Sequence, residues 1–103
     1  MMAQIAVDKK KVATFCHKYR IRRLALFGSA LRADFRPDSD VDVLVEFSTD
    51  AKYSLFALSR MEDELRHIFG REVDLVDRAA IEQSRNYIRR KEILGSLETI
   101  YAA

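Results

Sequence analysis

The 103-residue sequence has little cysteine and no long apolar run. Cys16 is its only cysteine, so no intrachain disulfide can form, and such usage suits a reducing cytoplasm. No apolar run approaches the roughly 20 residues of a membrane span. The first residues, Met1–Gln4, lack a basic region followed by an apolar stretch, which a signal peptide would show. These absences exclude a disulfide scaffold and predict a cytoplasmic protein without a membrane partner.

A strong excess of charge of either sign is also missing. The formal net charge is +2, which is too small to indicate direct nucleic-acid binding by itself. Hydrophobic residues make up 49% and charged residues 33%, values that place the chain among ordinary globular proteins. Its length predicts one domain over residues 1–103, with a core but no room for a second domain to hold a substrate.

The most informative stretch joins a glycine turn to an acidic strand. The apolar run Leu24–Phe27 leads directly into Gly28 and Ser29, where a chain can turn and present backbone N–H groups to an anion. Ten residues later, Asp40 and Asp42 stand two apart in a run of Val and Leu, and residues at this spacing in a strand share a face. Paired carboxylates repel each other, so we expect a cation between them. Hard oxygen ligands suit Mg²⁺ or Mn²⁺.

A third carboxylate fits the same site. Glu72–Val76 is a short strand candidate in which Asp74 lies opposite the core-facing apolar residues. If this strand lies beside the first acidic one, Asp74 meets Asp40 and Asp42. Three carboxylates around two Mg²⁺ ions are the arrangement used for phosphoryl or nucleotidyl transfer. Glu72 shares the face of Asp74 and competes with it for the third position.

Hydrophobic periodicity supplies the rest of the predicted fold. A short connection predicts that the first two strands are antiparallel neighbours, and a helix between the second and third strands predicts a parallel, right-handed crossover. The fold class is therefore α+β, a small mixed β-sheet with helices packed on one face. The predicted elements are helices over about 7–19, 54–69 and 84–94, and strands over 21–27, 41–47, 72–76 and 97–101.

The spacing Gly-Ser, ten residues, Asp-x-Asp resembles the signature of the DNA polymerase β-like nucleotidyltransferase superfamily, and the chain resembles its minimal nucleotidyltransferase branch. That branch favours Gly-Ser-x-Ala-Arg-Gly, and residues 28–33 read Gly-Ser-Ala-Leu-Arg-Ala, which keeps the arginine as Arg32 and replaces the last glycine with Ala33. The segments 37–42, 87–90 and 98–101 are also typical of the branch.

The resemblance implies a polymerase β-like core and transfer of NMP, most commonly AMP from ATP, to a hydroxyl. Two Mg²⁺ ions, or Mn²⁺ in their place, are the implied cofactors. The implied catalytic and metal-binding residues are Asp40, Asp42 and Asp74, and the implied nucleotide-binding residues are Gly28, Ser29 and Arg32.

The resemblance further implies that the acceptor is a HEPN-type ribonuclease toxin, with this chain as the antitoxin that AMPylates a tyrosine of the toxin. The pair would form a hetero-oligomer, and a homo-oligomer is a second option. One alternative is an antitoxin that acts by binding and occlusion alone. The methyl group of Ala33 argues for it by crowding the triphosphate, and the retained carboxylates argue against it. Another alternative is a nucleotidyltransferase acting on a small molecule, for which the sequence shows no deep pocket.

The segment after Asp77 is the most basic part of the chain. Two interpretations stay open for it: a surface that docks an acidic partner or RNA, and a solvated helix face. The basic residues are Arg78, Arg85, Arg89, Arg90 and Lys91.

Overall fold

A computed structural model describes residues 7–28, 40–48 and 53–103. The helices and strands of these ranges agree with the predicted ones within three residues at each end, and a short helix that was not predicted follows the third strand. In chain order the elements are α1 (Lys9–Lys18), β1 (Ile21–Phe27), β2 (Val41–Phe47), α2 (Leu55–Phe69), β3 (Val73–Asp77), α3 (Arg78–Glu82), α4 (Tyr87–Gly95) and β4 (Glu98–Ala102).

The strands form one mixed sheet in the order β3-β2-β1-β4. Strand β1 pairs antiparallel with both β2 and β4, and β2 pairs parallel with β3. The predicted antiparallel and parallel neighbours are thus confirmed, and so is the α+β fold class. Helix α2 connects the parallel pair and sets the register between β2 and β3. This register positions the residues described below.

Side-chain caps set the ends of the two longer helices. The Asp8 carboxylate accepts a hydrogen bond from the Lys11 N–H at 3.1 Å, and the Ser54 hydroxyl accepts one from the Ala57 N–H at 3.2 Å. These bonds satisfy N–H groups that have no partner inside the first helical turn. Gly70 ends α2 in the left-handed conformation with φ +67°, a position that favours glycine.

The larger core cluster lies between one face of the sheet and helices α1 and α2. Val41, Val43 and Val45 are fully buried in it, as their alternation along β2 predicts. The helices contribute residues that include Phe15, Cys16, Met61 and Leu65. Burying each such side chain stabilises the fold by about 1.5–3 kcal/mol. This larger cluster packs α1 and α2 against one face of the sheet. The opposite face of β2 is available for contacts with other elements.

A smaller cluster occupies that other face. It joins Phe27 of β1 and Leu44 of β2 to Ile81 of α3 and Ile93 of α4. Helices α1 and α2 therefore pack on one face, as predicted, and the short α3 and α4 add a partial layer on the opposite face. Within the described parts of the chain, no helix combines the length and apolarity needed to cross a membrane.

Candidate active site

The parallel pairing of β2 with β3 brings two predicted carboxylates together. Asp42 and Asp74 are direct Cα partners in this register, and neighbouring strands lie about 4.8 Å apart. Both side chains leave the sheet on the face opposite the buried valines of β2. Asp42 is half-buried and Asp74 is exposed. The predicted convergence of Asp74 with the acidic strand is therefore present for Asp42.

Gly28 lies directly against the Asp42 side chain. It follows Phe27, whose Cα pairs with that of Asp42 across the antiparallel strands. Gly28 has φ +68°, a backbone conformation that L side chains rarely adopt. A Cβ atom built at this position would lie 3.3 Å from the Asp42 Cγ and would clash with a carboxylate oxygen. The backbone conformation therefore favours glycine here, and a larger residue would displace the Asp42 carboxylate.

A cavity of about 600 Å³ opens beside these residues. Of the described residues that line it, half belong to the strands or directly follow one, and the other half belong to α4 or directly follow it. Gly28, Asp42 and Asp74 were predicted as site residues and all three contribute to it. The α4 residues were not predicted, although their spacing of three and four marks a single helix face. The lining residues are Phe27, Gly28, Asp42, Asp74, Arg89, Glu92, Ile93 and Ser96.

The remaining predicted site residues are less well defined. Asp40 stands one residue before β2, is exposed, and is not among the residues that line the cavity. Ser29 and Arg32, with the neighbouring Ala33, lie outside the described residues. Among residues 7–28, 40–48 and 53–103, no group of three or more His, Cys, Asp or Glu side chains has the spacing of a metal site. The three-carboxylate ligand set therefore stays a prediction.

The competing carboxylates near the site have structural partners. Glu72, the predicted competitor of Asp74, accepts a hydrogen bond from Arg66 Nε at 2.7 Å. Asp77, the last residue of β3, accepts one from the Ala79 N–H at 2.9 Å and caps α3. Asp74 therefore remains the β3 carboxylate that faces the cavity.

The paired carboxylates fit a hard divalent cation. Asp42 and Asp74 present oxygen atoms from adjacent strands, and two like charges at this separation are stabilised by a cation between them. Magnesium, which usually takes one or two protein carboxylates together with water and phosphate oxygens, matches this donor set.

Comparison with known proteins agrees with this geometry. The family of the nucleotidyltransferase domain matches residues 9–95, and the chain belongs to that family. A solved structure of a minimal nucleotidyltransferase superposes with a TM-score of 0.65 at 27% identity, covering 87% of this chain and 86% of that chain. The chain is 30% identical over 86 residues to protein adenylyltransferase MntA of Thermococcus cleftensis, an alignment that covers 78% of this chain and 85% of that protein.

Two solved structures of toxin–antitoxin complexes share the fold. A chain of a toxin–antitoxin complex with AMP-PNP superposes with a TM-score of 0.70 at 16% identity, covering 94% of this chain and 75% of that chain. A chain from the Shewanella oneidensis complex of tri-AMPylated HEPN toxin with MNT antitoxin superposes with a TM-score of 0.60 at 15% identity, covering 92% and 70%. At these identities the similarity shows the fold.

Proposed function

We propose that this protein is an antitoxin that transfers AMP from ATP to a tyrosine hydroxyl of a HEPN-type ribonuclease toxin. The observation that carries the proposal is the in-register pair of Asp42 and Asp74 beside Gly28, on the wall of a cavity of about 600 Å³. The name of the Thermococcus cleftensis relative, a protein adenylyltransferase, supports a protein as the acceptor.

The chemistry needs positioning and charge neutralisation more than covalent work by the protein. The acceptor hydroxyl oxygen forms a bond to the α-phosphorus of ATP. The bond between the α-phosphorus and the oxygen that bridges it to the β-phosphate breaks, and pyrophosphate leaves. Asp42 and Asp74, together with Asp40, would hold Mg²⁺. Bound Mg²⁺ neutralises charge on the phosphates and lowers the pKa of the acceptor hydroxyl.

Each described residue has a distinct part in this proposal. Asp42 is half-buried beside Gly28, which suits a metal ligand. Asp74 is exposed at the cavity, so an incoming hydroxyl can reach it and transfer a proton to its carboxylate. Gly28, Ser29 and Arg32 would hold the β- and γ-phosphates.

The partner is proposed from the fold neighbours, which come from complexes of a HEPN toxin with an MNT antitoxin. A hetero-complex brings the acceptor tyrosine to the cavity. The added AMP places bulk and negative charge next to the ribonuclease site of the toxin and blocks RNA. We also propose a cytoplasmic location, because the single cysteine, Cys16, is a free and buried thiol.

The test is intact-mass spectrometry of the partner toxin after incubation with ATP and Mg²⁺. We expect the wild-type protein to add one or more AMP units. Asp42→Asn and Asp74→Asn are each expected to slow transfer at least about a hundredfold, because each removes a carboxylate that would hold the Mg²⁺ that neutralises charge on the phosphates. Full turnover by the folded Asp42→Asn variant would contradict the assignment.

Glu72→Gln is the matched control. It removes a carboxylate two residues before Asp74, but that carboxylate is bound to Arg66 and exposed to solvent. The loss of such an exposed ion pair costs at most about 1 kcal/mol, so we expect wild-type transfer. Neutralisation of the toxin without a mass increase would instead indicate a binding-only antitoxin. Modification of an added small molecule alone would indicate the third function considered from the sequence.

A further inference from the structure

Among the described residues, one face of α4 contributes to the cavity wall. The face carries Arg89, Glu92 and Ile93, and Ser96, the residue after α4, also lines the cavity. Ile93 is buried against Phe27 and Leu44 on the sheet face that carries Asp42. Ile93 lies one helical turn from Arg89, so its packing sets the position of Arg89 relative to Asp42 and Asp74.

Arg89 differs from Arg78 and Arg90 in its contacts. Arg78 binds the carboxylates of Glu46 in β2 and of Glu82 in its own helix α3. Arg90 Nη1 lies 3.4 Å from each of two carbonyl oxygens of the segment before α4, and its guanidinium stands over the Tyr87 ring. The Arg89 N–H is bound to Asn86, but its guanidinium makes no hydrogen bond or ion pair within the described residues. Arg78 and Arg90 thus have structural partners, whereas the Arg89 guanidinium is available at the cavity.

The charges of the cavity favour an anionic group beside Arg89. Of the described lining residues, three are acidic, namely Asp42, Asp74 and Glu92, and one, Arg89, is basic. The triphosphate of ATP brings several negative charges to this acidic surface, and their repulsion has to be offset. A guanidinium presents two parallel N–H donors whose geometry matches phosphate oxygens.

We infer that Arg89 binds a phosphate group of ATP in this cavity, from the α4 side. The inference rests on the proposed function for the identity of the ligand and adds a nucleotide-binding residue from an element that the glycine–aspartate pattern does not include. The inference also gives two arginines of the basic segment different roles. Arg89 binds the nucleotide, whereas Arg90 connects α4 to the chain that precedes it.

Equilibrium titration of ATP with Mg²⁺, in the absence of any partner protein, tests this role. We expect Arg89→Gln to raise the Kd for ATP about tenfold, because a charge-assisted bidentate contact is lost. Arg89→Lys keeps the positive charge but lacks the two parallel N–H donors, so its Kd for ATP is expected to lie between those of the wild type and Arg89→Gln. Titration with adenosine, which has no phosphate, is expected to be the same for wild type and Arg89→Gln.

Arg85→Gln is the matched control. Arg85 is exposed, lies two residues before α4, and is not among the cavity-lining residues, so this change removes the same charge away from the site. Its Kd for ATP is expected to equal that of the wild type. Arg89 is exposed too, so all variants are expected to unfold at the wild-type temperature.

Equal ATP affinity of wild type and Arg89→Gln would overturn the inference, and so would an equal loss in Arg85→Gln, since only the overall charge would then matter. A contact of Arg89 with the acceptor protein instead of the nucleotide predicts unchanged ATP binding in this assay. If Arg89→Gln weakens ATP binding but the wild type transfers no AMP, the inference stands and the proposed function fails. If transfer occurs and Arg89→Gln binds ATP normally, the proposed function stands and the inference fails.

Discussion

Replacing Gly28 with alanine tests the geometry of the site directly. Gly28 has φ +68°, and placing an L side chain in the left-handed region costs about 1–2 kcal/mol. The added Cβ would also lie 3.3 Å from the Asp42 Cγ and clash with its carboxylate. The Asp42 side chain is the part that has to move, because Gly28 is held at the end of a paired strand.

Gly70→Ala separates the two effects. Gly70 has φ +67°, so alanine meets the same backbone strain there, but nothing lies within 4 Å of the added Cβ. We expect both variants to lose about 1–2 kcal/mol of unfolding free energy in urea denaturation. For a chain of this size, each kcal/mol lowers the melting temperature by about 4–8 °C, so both variants stay folded at moderate temperature.

Activity is where the two variants are expected to differ. A displacement of about 1 Å in a reacting group can slow catalysis about a hundredfold. AMP transfer to the partner, followed by mass spectrometry, is therefore expected to be at least about tenfold slower in Gly28→Ala than in Gly70→Ala. Equal rates in the two folded variants would contradict this prediction, because the position of the Asp42 carboxylate would then be irrelevant to turnover.

Two further predictions concern the core. Leu44 is fully buried beneath the site, so Leu44→Ala is expected to lose about 2–5 kcal/mol in urea denaturation, whereas Leu55→Ala, at an 83% exposed position, is expected to lose less than about 0.5 kcal/mol. Burial raises the pKa of Cys16 from 9.0 to about 12, so its thiol is expected to react with a thiol reagent only after unfolding. Because the pKa of Cys16 is higher in the folded state than in the unfolded state, the stability contributed by the protonated thiol is complete below pH 9 and is lost as the pH rises toward 12. Urea denaturation of the wild type and of Cys16→Ala, below and above pH 9, checks this expectation.

The features that depend on residues close together in the chain could be predicted from the amino-acid sequence. The bounds of β1 agree with those predicted from its apolar run, and the bounds of β2 agree with those predicted from its apolar alternation. Val43 faces the core and Asp42 faces away from it, as the two-residue period of a strand predicts. The five-residue helix α3 escaped prediction because it is too short to show a helical period, although Asp77 supplies its cap.

Which distant residues lie close together depends on how the helices and strands pack. Asp74 stands opposite Asp42 because α2 packs on the sheet and sets the register of the parallel pair. Arg89 reaches the same cavity because Ile93 is buried under α4. Periodicity assigns a residue to a face, but the distance between residues far apart in the chain depends on how whole elements pack, and that depends on many side chains at once.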